Sequence, residues 1–104
     1  MHAIVITFTQ GLPEREYGAL CDSFVASFEA IDGLVAKTFL GGAGEAGGFY
    51  LFTDETAADA YLAGPIVAGL ADQPGIGDVT VRRFDVDTAR SSRTGLAALV
   101  AGAA

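Results

Sequence analysis

Apolar positions in this chain fall into two rhythms. His2 to Thr9 alternates Ile4, Ile6 and Phe8 with Ala3, Val5 and Thr7, and neither set carries charge, which predicts a strand in the interior of a sheet. Pro13 then stands where a helix can begin, with Glu14 and Glu16 at its dipole-favoured end. Tyr17, Leu20, Cys21, Phe24, Val25, Phe28 and Ile31 recur at helical spacing, and Gly33 is placed to end that helix as a left-handed cap. Leu34 to Leu40 reads as a second strand. Gly41 to Gly48 reads as a flexible hairpin. A phosphate loop is excluded there because a strand, not a helix N-terminus, follows the glycines.

The next stretch organises the rest. Phe49 to Phe52 is an unbroken aromatic and aliphatic run, too apolar for a half-solvated strand, so it predicts a central one. Thr53 or Asp54 caps the helix that follows directly. Gly64-Pro65 breaks that helix, and Pro65 can start a further turn through Ile66, Val67 and Leu70. Asp78 to Val86 is a fourth strand. Its apolar phase shifts between Val81 and Phe84, which predicts a bulge near Arg82-Arg83. The order β-α-β-β-α-β implies an α+β, ferredoxin-like sandwich: an antiparallel four-stranded sheet with its helices on one face, spanning residues 1–88. Residues 89–104 form a tail that is flexible or docked on a partner. Two helices cover one sheet face, yet the strands are apolar on both. A second copy, sheet against sheet, would close a homodimeric α+β barrel.

Charge and composition narrow the function. The net charge of −7 argues against nucleic acid and anionic membranes as partners. One cysteine excludes an internal disulfide, and no cysteine or histidine cluster suggests a metal. The start carries no signal-peptide pattern, so a cytoplasmic protein is expected. His2, the only histidine, is read as solvated, and Cys21 as a buried member of the helical stripe. No Ser/His/Asp or Cys/His constellation is available.

Glu45 to Leu62, EAGGFYLFTDETAADAYL, closely resembles the matching segment of the YdhR-like monooxygenase family. That family lies in the dimeric α+β barrel superfamily with the antibiotic-biosynthesis monooxygenases. IVITFT at the start, Gly33-Leu34 with Lys37 three residues on, and the late VRRFDVD are weaker similarities, so the resemblance spans roughly residues 3 to 88. It implies a dimeric barrel and cofactor-independent oxygenation of an aromatic or quinol-type molecule by O2, with neither cofactor nor metal. One departure stands out: the family places tryptophans around the lysine, where this chain has Ala36 and Phe39 and contains no tryptophan.

Such chemistry needs a group to take a proton and others to hold the anion in a dry cavity. Lys37 is a candidate base or anion clamp, since a lysine between apolar neighbours has a lowered pKa; guarding a sheet edge is its other reading. Tyr50 is the second catalytic candidate, if its hydroxyl faces the barrel interior, and otherwise a packed core tyrosine. Phe39, Phe52, Arg82 and Tyr61 complete the candidate substrate-binding set, with core packing as the other reading of Tyr61, which falls at core spacing on its helix. Arg82 and Arg83 are adjacent and so face opposite sides, with a structural salt bridge as the competing role. A non-catalytic small-molecule-binding or accessory dimer, or a cyclase or isomerase using the same cavity, are the alternatives to a monooxygenase.

Overall fold

The structure, a computed structural model, describes residues 1–103. Its strands are β1 (His2–Gln10), β2 (Leu34–Gly41), β3 (Glu45–Phe52) and β4 (Ile76–Asp85). Helices α1 (Glu14–Glu29), α2 (Glu55–Leu62) and α3 (Pro65–Asp72) connect them, and α4 (Thr88–Ser91), a 3-10 turn (Ser92–Thr94) and α5 (Leu96–Ala103) follow. All strand pairs are antiparallel in the order β2-β3-β1-β4, the ferredoxin-like arrangement. The two most apolar strands hold the middle, as burial on both faces requires.

The helix-facing side carries the core. Ile4, Ile6, Phe8, Ala46, Tyr50 and Phe52 meet Phe28 of α1 and Ala58 and Tyr61 of α2 there. Phe52, Ile4 and Ile6 are fully buried. Asp54 accepts the Ala57 N–H at 2.8 Å, satisfying a free donor and fixing where α2 begins. Pro65 occupies the first turn of α3, where its missing N–H costs nothing. Gly33 is left-handed, with φ of 81°, but it does not cap α1: that helix already ends at Glu29 with Ala30 as its right-handed cap, and Gly33 turns the chain into β2.

Three local expectations change. Pairing runs on to Gly41–Ala46, so the turn shrinks to Gly42–Gly44 and Glu45 to Gly48 join β3. These small residues let strands and side chains approach: a Cβ on Gly47 would overlap the Ile6 carbonyl, and one on Gly48 would press on Lys37 and Tyr50. The bulge in β4 is not at Arg82-Arg83, which pair regularly with Val5 and Ile4. It lies at Asp78-Val79, opposite Phe8, where Asp78 adopts a φ of 51° that shifts the strand by one residue. His2 is buried rather than solvated, at 6% exposure.

The opposite sheet face is only partly covered. Ala3 and Leu51 are buried, but Val5 and Phe49 are half-buried, and Leu40 and Phe84 are 42% and 44% exposed. The C-terminal helix α5 packs against edge strand β2. It also carries exposed apolar residues, Leu99 and Val100.

Candidate functional site

The apolar stripe of α1 faces the sheet and leaves a small aromatic chamber. Tyr17, Cys21, Phe24 and Phe28 come from α1, Lys37 and Phe39 from β2, Tyr50 from β3 and Tyr61 from α2. Phe28 is the hub, with ring centroids 5.9 Å from Phe39, 6.0 Å from Tyr50 and 6.4 Å from Tyr61. Tyr50 and Tyr61 are 5.0 Å apart. The chamber holds about 40 Å³, room for water and not for an aromatic ring.

Lys37 forms the wall. It pairs with Tyr50 across the β2–β3 ladder, so both side chains leave the sheet on the helix side. Its Nζ lies 3.1 Å from the Phe39 ring centroid, 4.5 Å from that of Phe28 and 5.3 Å from that of Tyr50. Gly48, its neighbour across the ladder, supplies the space for the lysine stem. Among the described residues no carboxylate is within ion-pair distance of it. Burial holds its ammonium down to about 8, partly opposed by the Cys21 thiol, which favours the charged form. The phenols move the other way: burial pushes Tyr17, Tyr50 and Tyr61 above the usual tyrosine range, so all three stay neutral donors. An amine able to exchange a proton near neutral pH therefore lines the same apolar chamber as three neutral tyrosines. That set can accept a proton from a weak organic acid and hold the resulting anion.

On the outer side of Lys37 lies a groove of about 230 Å³ between the end of α1 and β2, lined by Val25, Phe28, Glu29, Leu34, Val35, Ala36, Lys37 and Phe39. Lys37, Phe28 and Phe39 border both spaces, so their side chains separate groove from chamber.

Of the candidates named from the sequence, Lys37, Tyr50, Phe39 and Tyr61 come together. Phe52 and Arg82 do not. Phe52 is fully buried behind the chamber, its centroid 5.6 Å from that of Tyr61. Arg82 pairs with Val5 on the other sheet face and stacks 5.2 Å over Phe84. The chamber also lies between sheet and helices, not inside a barrel closed by two sheets, because Lys37 and Tyr50 share the face that α1 and α2 cover. Cys21 is half-buried and borders the chamber instead of being sealed in the core. Tyr17, Phe24 and Phe28 were legible only as a helical stripe; spacing marks a buried face but not a gap beneath it.

The other polar cluster is structural. Arg83 donates from Nε to His2 Nε2 at 3.1 Å and from its terminal nitrogen to Asp59 at 2.6 Å. Arginine cannot accept, so His2 Nε2 must be the acceptor and Nδ1–H donates to Asp85 at 3.2 Å. With both ring nitrogens engaged, His2 ties β1 to β4, and Arg83 ties both to α2. Among the described residues no group of three His, Cys, Asp or Glu side chains could hold a metal. No described helix is long and apolar enough to cross a membrane.

A family model described as "Putative mono-oxygenase ydhR" matches residues 4–95. No curated protein sequence shows significant similarity to the chain. Solved structures share the fold at low identity. A protein of unknown function from Nitrosomonas europaea is 21% identical, with 83% of this chain and 89% of that one covered and a TM-score of 0.68. SnoaB, a cofactor-independent oxygenase from Streptomyces nogalater, is 19% identical, with 83% and 92% covered and a TM-score of 0.67. A variant of MhuD from Mycobacterium tuberculosis, with two manganese protoporphyrin IX molecules per active site, is 15% identical, with 84% and 95% covered and a TM-score of 0.66.

Proposed function

Since the chain belongs to the ydhR mono-oxygenase family, we propose that it is a cofactor-independent monooxygenase of an aromatic, quinol-type small molecule, working as a cytoplasmic homodimer. The observation that carries this reading is Lys37: an amine poised near neutrality by burial, without an acidic partner among the described residues, against the rings that border the tyrosine hydroxyls.

The substrate's acidic O–H or C–H gives its proton to the neutral Lys37 amine. The ammonium so formed, with O–H donated by Tyr50 or Tyr61, stabilises the anion. That electron-rich anion passes an electron to O2, the two radicals recombine, Lys37 returns its proton to the peroxide anion, and the hydroperoxide loses water. A methylene thus becomes a carbonyl: one oxygen atom enters the product, the other leaves in water, and the four electrons come from the substrate. Phe28 and Phe39 supply flat apolar surface. The substrate enters from the outer groove, and Lys37 and Phe39 rotate to join the groove of about 230 Å³ to the chamber of about 40 Å³.

The porphyrin held by MhuD is not carried over. The chain's one histidine has both ring nitrogens bonded and does not border the chamber, so it cannot serve as an axial ligand without breaking the β1–β4 tie. Dimerisation rests on the open sheet face, where Leu40 and Phe84 are exposed beside half-buried Val5 and Phe49. Leu99 and Val100 of α5 extend the apolar surface offered to a second copy.

The small chamber favours one second reading, a ligand-binding accessory dimer without turnover. Oxygen uptake by metal-free protein with hydroquinones, anthrones and catechols, corrected for autoxidation, separates the two. A protein-dependent rate that Lys37→Met abolishes supports the oxygenase. Tight binding of the same compounds without oxygen uptake supports the accessory role.

A further inference from the structure

The groove outside Lys37 has a chemistry of its own. Its floor and walls are Val25, Phe28, Phe39 and the β2 residues Leu34 to Ala36, and among the described residues its only ionisable side chains are Lys37 and Glu29. A groove of about 230 Å³ takes a single planar ring with a short substituent. Glu29 sits in the last turn of α1, exposed, and is not ion-paired with Lys37. An anion site would gather several donors on its ligand; here one amine stands alone over apolar walls, with a carboxylate at the rim. That pairing suits condensation.

We propose that the groove between the end of α1 and β2 binds small planar aldehydes or ketones, and that Lys37 joins them as an imine. The Lys37 nitrogen lone pair attacks the carbonyl carbon, and the carbonyl π electrons move to oxygen, which takes a proton. Solvent at the open groove protonates the carbinolamine hydroxyl, water leaves, and the Glu29 carboxylate takes the remaining nitrogen proton to solvent as C=N forms. Amine and carbonyl become imine and water, with no change of oxidation state. The step requires free amine, and burial supplies it. With its proton affinity held near 8, on the order of a tenth of Lys37 is neutral at pH 7, against well under a thousandth of a solvated lysine. The activity is independent of oxygenation and does not rest on the preceding reading.

Lys37 is the only lysine in the sequence, so a reduced adduct on a lysine side chain is assigned at once, and in the protein tested the α-amine of Met1 serves as the reference. Protein under nitrogen is incubated with 4-hydroxybenzaldehyde and cyanoborohydride near neutral pH, and the reduced adduct is located by peptide mass spectrometry. The expected result is labelling of Lys37 at least about tenfold faster in the folded protein than in concentrated urea, with Met1 as internal reference. Val25→Trp fills the groove at an exposed position and should suppress labelling of Lys37 while leaving that of Met1 unchanged. Labelling confined to Met1, equal Lys37 rates in folded and unfolded chain, or unimpaired Lys37 labelling in Val25→Trp would each overturn the proposal. Because oxygen is excluded, a negative oxygen-uptake result has no bearing on it.

Discussion

Replacing Lys37 by Met should stabilise the protein, and the gain should depend on pH. Burial lowers the Lys37 pKa from 10.5 to about 8. At about 1.4 kcal/mol for each tenfold change in proton affinity, this sets the native charged form about 3 kcal/mol above its solvated reference. The side chain keeps partial access to water, and three nearby rings attract the cation, so the net penalty is smaller, about 1–2 kcal/mol. Methionine fills the same space without that cost. The sign of the pH dependence follows from linkage. Below about 8 the lysine is protonated in both folded and unfolded chains and the full penalty applies. Between about 8 and 10.5 the folded protein sheds its proton first, so wild type gains stability and the advantage of Lys37→Met shrinks. Above about 10 the raised phenols of Tyr17, Tyr50 and Tyr61 act oppositely, because the unfolded chain ionises first and stability falls. Urea unfolding followed by circular dichroism at about pH 7 and pH 9.5, at one protein concentration, isolates the lysine. The midpoint should rise at the lower pH, with more than half of the gain lost at the higher. A Lys37→Met variant less stable than wild type, or a gain equal at both pH values, would show that Lys37 carries no burial penalty.

Three further outcomes are expected. Phe84→Asp puts a charge on the open sheet face without touching the chamber, and light scattering should find a dimer mass for wild type and a monomer mass for the variant; equal masses would remove the sheet-to-sheet assembly. Gly47→Ala drives a methyl into the Ile6 carbonyl and should cost at least about 3 kcal/mol, read as loss of soluble folded protein or a large fall in thermal midpoint. Asp54→Ala removes the bond to the Ala57 N–H and should cost about 1 kcal/mol in urea unfolding, with the secondary-structure spectrum unchanged.

Much of the architecture is written in local patterns. The uncharged alternation of His2 to Thr9 and the run Phe49 to Phe52 mark β1 and β3 as central strands, because only a strand flanked on both sides can bury such sequences. Asp54 and Pro65 mark helix boundaries for reasons confined to a few residues of backbone, whereas Gly33 marks the turn into β2 and not the end of α1. Lys37 and Tyr50 attract notice as rare polar groups among apolar neighbours. What no local pattern carries is phase between strands. The bulge at Asp78-Val79 depends on pairing with β1, seventy residues earlier in the chain by its register with Thr7 and Thr9. His2 looks like a solvated terminus until Asp85 and Arg83 are brought beside it. The position of the chamber is of the same kind. Whether Lys37 and Tyr50 face a second sheet or the helices is set by the β2–β3 register and by which face α1 covers. A one-residue slip would reverse it. Composition and periodicity thus determine the elements and their apolar faces, because those follow from each residue's own chemistry. Tertiary structure alone decided the site, because a pocket is the space left where separate elements fail to meet.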